Sequence, residues 1–485
     1  INNDGTLYIR VASLFVSGDW NQGIALYNWP FYPFILAAGH QISGFSFQTV
    51  GHLWAIICFS LSTAVFVMIL REAGGNLKVM LAGLLLFVAS PDLVADIIPM
   101  IVREHGFWAF LLCSLWFFMR FYKTNRYAYA LGWGATALLA TLFRIEGLAF
   151  FSMLPFALLF QTRHVVKTRL TMFFKAHSIL FGSVLILLAV LLIAPSLKIS
   201  EIGRLQEPRF IITKVYQAAT QELSAKADIF GTQVLGDWLA EYALPGILLT
   251  LVWAVMAKVV GTAGFLQSVL CAYAFIKRNT FCRMPAYPVL ISFLLIALTN
   301  CFFILLNNYL LADRMTSPVA FIIILFAAFA LANLYQNFRN NENKVPRIFF
   351  IIAILVLVAQ IIKTALPPKS GSFYELEAVR WIKANKIPDE KVFYDGIRLR
   401  YYAGDYDNDQ NLDWPGMERL FQNGSVYDYQ YIVIHGPKKH PERIQFMNER
   451  LGTPIIQFDN GRKSRVLVYR VPQTFDKSNV RNDKS

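Results

Sequence analysis

Hydrophobic positions in this chain gather in long runs, not in the short alternations of a soluble sheet. The runs lie near residues 50–70, 78–90, 105–122, 127–143, 147–161, 178–197, 243–276, 285–311, 315–335 and 348–366. A bilayer core takes roughly 20 apolar helical residues to cross, and shorter runs serve where a helix packs inside the protein. The pattern predicts about ten membrane-crossing helices. The 78–90 run is short. The 243–276 run is long, carries Lys258 and a Gly261/Gly264 break, and is read as one crossing. Before the first span, Tyr27 to Phe45 is apolar and aromatic but interrupted by Pro30, Pro33 and Gly39, which predicts a helix lying along the membrane surface within an external segment 1–49. After Pro367-Pro368 the pattern becomes polar and rich in Asp and Tyr. Ser372 to Lys386 and Pro441 to Leu451 have helical spacing, while Lys391 to Tyr394, Tyr429 to His435, Ile455 to Phe458 and Val466 to Val471 read as strands. Residues 367–485 are therefore expected to form a soluble α/β domain.

Composition agrees with the pattern: 56% of residues are hydrophobic and 16% charged, which excludes an ordinary cytosolic protein. The net charge of +14 would point to nucleic acid in a soluble chain, but here it is read by its position relative to the spans. Arg71 and Lys78, Lys123 and Arg126, Arg163, Lys167, Arg169 and Lys175, Lys277, Arg278 and Arg283, and Arg339, Lys344 and Arg347 fall in alternate loops, which predicts a cytoplasmic side. The other turns hold arginines beside acids and are expected to face outward, as are residues 1–49, the 198–242 loop with Lys198, Arg204, Arg209, Lys214 and Lys226, and the C-terminal domain. An external first segment needs a helix to deliver it, so a further helix is expected before Ile1, giving about eleven spans. The five cysteines lie in or beside apolar runs without paired spacing and read as small hydrophobes.

Charges kept at span ends are candidates for chemistry. Asp4 and Glu104 on the outer side are carboxylates that can divide the work, one accepting a proton from an attacking hydroxyl and the other holding a divalent metal ion or positioning the acceptor. The structural alternative makes Glu104 a partner of Arg103 or a helix cap, and Asp4 a solvated loop acid. Arg144 and Glu146, and likewise Asp313 and Arg314, occupy tight turns between apolar helices. Each arginine suits a phosphate at headgroup depth, or equally an internal pair fixing the hairpin. His40, His52 and His105 lack metal-site spacing. No Walker A, dinucleotide or HExxH motif occurs, and no inverted halves with broken helices, which argues against an ATP-driven pump or a secondary transporter.

In order along the chain, Asn3-Asp4-Gly5-Thr6-Leu7-Tyr8, Gly18-Asp19-Trp20, Tyr27-Asn28-Trp29-Pro30-Phe31-Tyr32-Pro33, Arg103-Glu104-His105, Arg144-Ile145-Glu146-Gly147 and Asp313-Arg314-Met315-Thr316-Ser317-Pro318 resemble the GT-C membrane glycosyltransferases that use polyprenyl-phosphate sugars, related to protein O-mannosyltransferases and the lipid A aminoarabinose transferase. Met315 stands where the family usually has an aromatic, and Arg103-Glu104-His105 lacks its better-known paired-acid form. The resemblance implies a polytopic α-helical inner-membrane enzyme with its C-terminal domain outside. It implies Asp4 as catalytic base or acceptor-binding acid, Glu104 as a second active-site carboxylate, and Arg144, Arg314 and Arg103 as donor phosphate contacts. Tyr8, His105, Glu146 and Asp313 would support them. The expected partners are a polyprenyl-phosphate-linked sugar, membrane lipids and a glycan, lipid or protein acceptor, with no nucleic acid. A divalent cation, with Asp4 and Glu104 as its candidate ligands, is the one cofactor considered. The rival readings are a flippase for a lipid-linked sugar and a surface polysaccharide ligase or polymerase.

Overall fold

The computed structural model describes residues 1–193, 203–204, 213–236, 238–276, 286–340, 344–366, 373–405, 414–436, 440–461 and 464–472. Two compact units result, Ile1–Arg10 with Pro368–Ser485, and Val11–Pro367. The Pro367-Pro368 pair, Cys282 and the basic residues Lys198, Arg209, Lys277, Arg278 and Arg283 lie outside the described residues.

Three helices precede the first expected span: α1 (Asn3–Ser17), α2 (Trp20–Leu26) and α3 (Phe31–Ser43). Within the stretch Tyr27 to Phe45 the helix that forms is α3, over Phe31–Ser43. Pro33 is tolerated in its first turn, and it ends where Gly44 takes a left-handed φ of 70°. Helix α1 was not expected. Tyr8, Ala12 and Phe15 recur at helical spacing and are buried. Asp4 therefore sits in the first turn of a helix, not on a loop, where a carboxylate meets N–H groups that lack intrahelical partners.

The larger unit is a helical membrane bundle. Its helices are α4 (Phe47–Glu72), α5 (Leu77–Val88), α6 (Glu104–Thr124), α7 (Tyr127–Phe143), α8 (Gly147–Met153, continued by a tighter turn Leu154–Leu158), α9 (Val166–Ala176), α10 (Ser178–Ile193), α11 (Leu223–Phe230), α12 (Ala243–Ala263), α13 (Phe265–Ile276), α14 (Tyr287–Asn308), α15 (Asp313–Arg339) and α16 (Lys344–Ala365). Among the described residues, five helices are long and apolar enough to cross a membrane: α4, α12 with its lead-in from Ala240, α14, α15 and α16. The bent pair α9 and α10 would make a sixth. Helices α5, α7, α8 with its continuation, and α13 are shorter apolar helices, and α6 has the length but carries Glu104, His105, Arg120 and Lys123. The run over 243–276, expected as one crossing, is built of two helices. Gly264, at φ 98°, ends α12, and the Gln267 side chain lies so close that a Cβ there would meet it at 2.3 Å. Helix α15 is central, with 83% of its apolar stretch buried against α5, α12, α13, α14 and α16, while α6 packs against α4 and α7.

The C-terminal domain contains α17 (Phe373–Asn385), β1 (Val392–Tyr394), α18 (Ile397–Ala403), α19 (Trp414–Gln422), β2 (Tyr431–His435), α20 (Pro441–Leu451), β3 (Ile456–Asp459) and β4 (Arg465–Arg470). The sheet order is β1-β2-β4-β3, with β1 and β2 parallel and the other pairs antiparallel. Tyr431, Val433, Val466 and Val468 pack with α17 and α18 on one face, and Ile432, Ile434, Leu467 and Tyr469 pack with α19 and α20 on the other. Covering both faces explains why β2 is a continuous buried run from Tyr431 to Ile434 instead of alternating.

Asp395 and His435 follow and end the parallel strands β1 and β2. His435 Nδ1 lies 2.8 Å from Asp395 Oδ1 and its Nε2 lies 3.0 Å from Oε1 of the wholly buried Glu375, which Arg398 also reaches at 2.5 Å. Burial alone would lower the His435 pKa, but the hydrogen bonds to Asp395 and Glu375 outweigh it and push it up to about 10. The imidazolium thus donates to both carboxylates. Its stabilisation is fully present below the ordinary value of 6.5 and is lost as pH rises through about 10. H435Q is expected to lower the C-terminal domain's melting temperature by roughly 5 °C at neutral pH, with the difference closing above pH ~10. Thermal unfolding of the full chain in detergent at the two pH values measures this.

Candidate functional site

Three turns far apart in the chain meet at one end of the membrane bundle. Arg144 follows α7 with an extended backbone (φ −144°, ψ 127°), and the Gly147 N–H donates to the Arg144 carbonyl at 2.9 Å to close the turn. Gly147 is required there, because a Cβ would lie 2.9 Å from backbone atoms of Thr141. Glu104 is the first residue of α6. Two residues on, Gly106 lies against the Phe143 ring so closely that a Cβ would meet it at 2.4 Å, and this contact brings the start of α6 to the end of α7.

Arg144 links two carboxylates. One terminal nitrogen donates to Glu104 Oε1 at 2.6 Å, while Nε and the other terminal nitrogen donate to the two oxygens of Glu146 at 3.2 and 2.6 Å. Both the Arg144 and Glu104 side chains are only 3% exposed. The Phe107 ring centroid lies 5.9 Å from the guanidinium carbon. Burial by itself would raise the Glu146 pKa, but the charge and hydrogen bonds of Arg144 hold it well below the usual carboxylate range. Glu104 Oε2 is buried and accepts no hydrogen bond among the described residues.

Arg314, in the first turn of α15, places Nε 3.3 Å from Glu104 Oε1 and leaves 24% of its side chain exposed. Pro318 has no N–H to offer the Arg314 carbonyl one helical turn back, and the Ser317 hydroxyl donates to that carbonyl at 3.1 Å. Arg314 and Asp313 do not form one local pair. Asp313 turns to Lys258 of α12 at 2.9 Å, while the Asp313 carbonyl accepts from the hydroxyls of Thr262 and Thr316 at 3.1 and 2.8 Å. Asp92, between α5 and α6, is half-buried. Burial, Asp313 and Asp96 raise its pKa to about 6.

The remaining sequence-selected residues divide. Arg103 precedes α6 and donates to the Tyr27 hydroxyl at 2.5 Å. The His105 ring is fully buried, with Nε2 3.0 Å from the Met100 carbonyl oxygen, which is a packing and hydrogen-bonding role. Asp4 and the buried Tyr8 lie on α1, in the segment that groups with the C-terminal domain. The sequence pattern does not single out Asn300. It donates to the Glu146 carbonyl at 3.4 Å and lines a cleft with Phe107, Arg144, Glu146, Phe150, Arg314, Met315 and Pro318. Its signal in the sequence is a polar amide inside the apolar run 285–311.

Neither a family model nor a curated protein matches the sequence. Solved structures do. The apo structure of ArnT from Cupriavidus metallidurans matches with a TM-score of 0.51 and 13% identity, covering 96% of this chain and 93% of the other. The structure of the same protein bound to undecaprenyl phosphate matches with a TM-score of 0.52 and 13% identity, covering 97% and 93%. The chain has the GT-C fold. Within this GT-C bundle the network joins the N-terminal ends of α6 and α15 and the α7–α8 turn. No group of three or more His, Cys, Asp or Glu side chains stands ready to hold a metal ion among the described residues. Glu104, with Arg144 at 2.6 Å and Arg314 at 3.3 Å on one oxygen, is a poor ligand for a dication that those guanidiniums would repel.

Removing one member of a buried ion pair leaves the other uncompensated. R144Q and E104Q are each expected to destabilise the protein strongly, by roughly 3 kcal/mol. The double variant should lose about 2 kcal/mol less than the sum of the two. R144K should not restore the network, because a lysine cannot span both carboxylates as the fork does. Thermal unfolding of the four purified variants in detergent measures the coupling.

Proposed function

We propose that this chain is an integral inner-membrane glycosyltransferase that moves a sugar from a polyprenyl-phosphate donor to an acceptor hydroxyl on the extracytoplasmic face. The observation that carries this reading is the buried Glu104–Arg144–Glu146 network with the partly exposed Arg314 lining the same small cleft, set in a GT-C fold. A departing phosphate gathers charge as the glycosidic bond breaks, and preorganised guanidiniums stabilise that charge without having to reorganise. The carboxylates hold Arg144 in one orientation before any donor arrives. Arg314 is more exposed than Arg144 and is assigned the phosphate contact, together with Arg103.

In this mechanism the acceptor hydroxyl attacks the anomeric carbon and forms the new C–O bond. The bond from that carbon to the donor phosphate oxygen breaks, its electron pair stays on the phosphate, and the hydroxyl proton passes to Asp4. The displacement is single and inverts the anomeric centre. The donor set around Glu104 favours base assistance over a bound metal ion, and no step is routed through one. The extracytoplasmic placement of the active site and C-terminal domain rests on the distribution of basic residues along the chain.

Membranes from cells lacking this protein, complemented with wild type or D4N, are to be supplied with a radiolabelled polyprenyl-monophosphate sugar, and free polyprenyl phosphate and labelled product followed. The wild type should release free polyprenyl phosphate, and D4N should cut release by roughly 100-fold at equal expression. Near-normal release by D4N would remove Asp4 from the mechanism. Transport of an intact donor would replace the transferase reading with a flippase, and use of only a diphosphate-linked donor would replace it with a ligase.

A further inference from the structure

Helix α9 departs from the line of α10 by 48°. The bend is at His177, whose ring nitrogens lie 3.0 and 3.1 Å from the carbonyl oxygens of Phe173 and Ser152. Met172 and Ala176 bury one side of α9. Another side presents Val166, Leu170 and Phe174, which are 66%, 45% and 58% exposed and recur every fourth residue, so they form one stripe. The stripe continues on α10 through Phe181 and Leu185, both exposed. Lys167 and Lys175 lie beside it and Arg163 precedes it. No acid occurs between Gln161 and Ser178.

The contrast with neighbouring cations identifies the occupant. The Gln161 side chain donates to the Tyr122 carbonyl at 3.0 Å, which ties this segment to the end of α6. There Arg120 and Lys123 are neutralised by Glu72 at 2.8 and 2.9 Å. Arg163, Lys167 and Lys175 have no acidic partner among the described residues. An exposed apolar stripe that runs on into the strongly apolar helix α10 suits acyl chains, and lysines beside it reach the headgroup layer.

We infer that α9, with Arg163, Lys167 and Lys175 around the Val166–Leu170–Phe174 stripe, is a binding site for anionic phospholipid headgroups. Its polar rim selects the phosphate charge and its stripe takes the acyl chains. The site is separate from the Arg144 network and does not depend on the proposed activity. Free phosphate would satisfy the cations alone, and a protein partner would cover the stripe without lipid.

The test uses the purified full chain in a neutral detergent, with phosphatidylglycerol and phosphatidylcholine of matched acyl chains and native mass spectrometry as readout. The wild type should retain phosphatidylglycerol preferentially. K167Q/K175Q should reduce that preference roughly tenfold, while K344Q, at the start of α16, should leave it unchanged. A matched thermal-shift series should show phosphatidylglycerol raising the melting temperature of the wild type more than that of K167Q/K175Q, which also reports whether the variant is folded. Equal retention of the two lipids, an unchanged preference in K167Q/K175Q, or the same loss in K344Q would overturn the inference. So would displacement by inorganic phosphate beyond that caused by chloride at equal ionic strength, which would assign a free-anion site instead.

Discussion

A guanidinium with 3% of its side chain exposed must be paired, and Arg144 is paired with two carboxylates from different parts of the chain. This requirement organises the site. Glu146 comes from the same turn and fixes the fork locally. Glu104 comes from forty residues earlier and can reach Arg144 only if α6 begins where α7 ends. A buried charge left unmatched costs several kcal/mol, so the pairing restricts how these helices can dock.

The backbone features nearby serve that docking. Gly106 and Gly147 remove the Cβ atoms that would hold α6 away from Phe143 and the turn away from Thr141. Pro318 takes a helical hydrogen bond from the Arg314 carbonyl, and Ser317 supplies another donor. Arg314 then completes the set on Glu104 from the first turn of α15, the helix most enclosed by the bundle. Positioning charged groups on the ends of buried helices gives them fixed orientations, which is what stabilising a developing phosphate charge demands.

The C-terminal domain solves a separate problem with similar chemistry. His435 and Asp395 stand at the carboxyl ends of parallel strands and meet Glu375 of α17. Two carboxylates close to one imidazole hold it charged, so this cluster ties the sheet to α17 and has no neutral histidine to offer as a base near neutral pH. Helix α9 shows the opposite arrangement, cations left without acids where the membrane supplies the counter-charge.

Much of the architecture was legible in the sequence because its signals are local. Apolar runs mark helices by length, and the four strands and the two helices expected in the C-terminal domain appear within a residue or two of their places, while Ile397–Ala403 and Trp414–Gln422 form two further helices that the pattern does not mark. Helix α1 is not marked by an apolar run because Asn3, Asp4, Thr6 and Arg10 interrupt its buried stripe, and the break at Gly264 competes with continuous hydropathy on both sides. The sequence alone also singled out Glu104, Arg144, Glu146 and Arg314 as charges kept at span ends, where retention is costly. It left open whether Arg144 served a phosphate or an internal pair, and whether Asp313 and Arg314 answered each other. Only the tertiary structure decided that Arg144 binds both Glu104 and Glu146, that Asp313 faces Lys258, and that Asn300 joins the cleft. Periodicity reports what each segment buries, whereas the partner of a buried charge is set by which helix ends packing brings within 3 Å or so of one another.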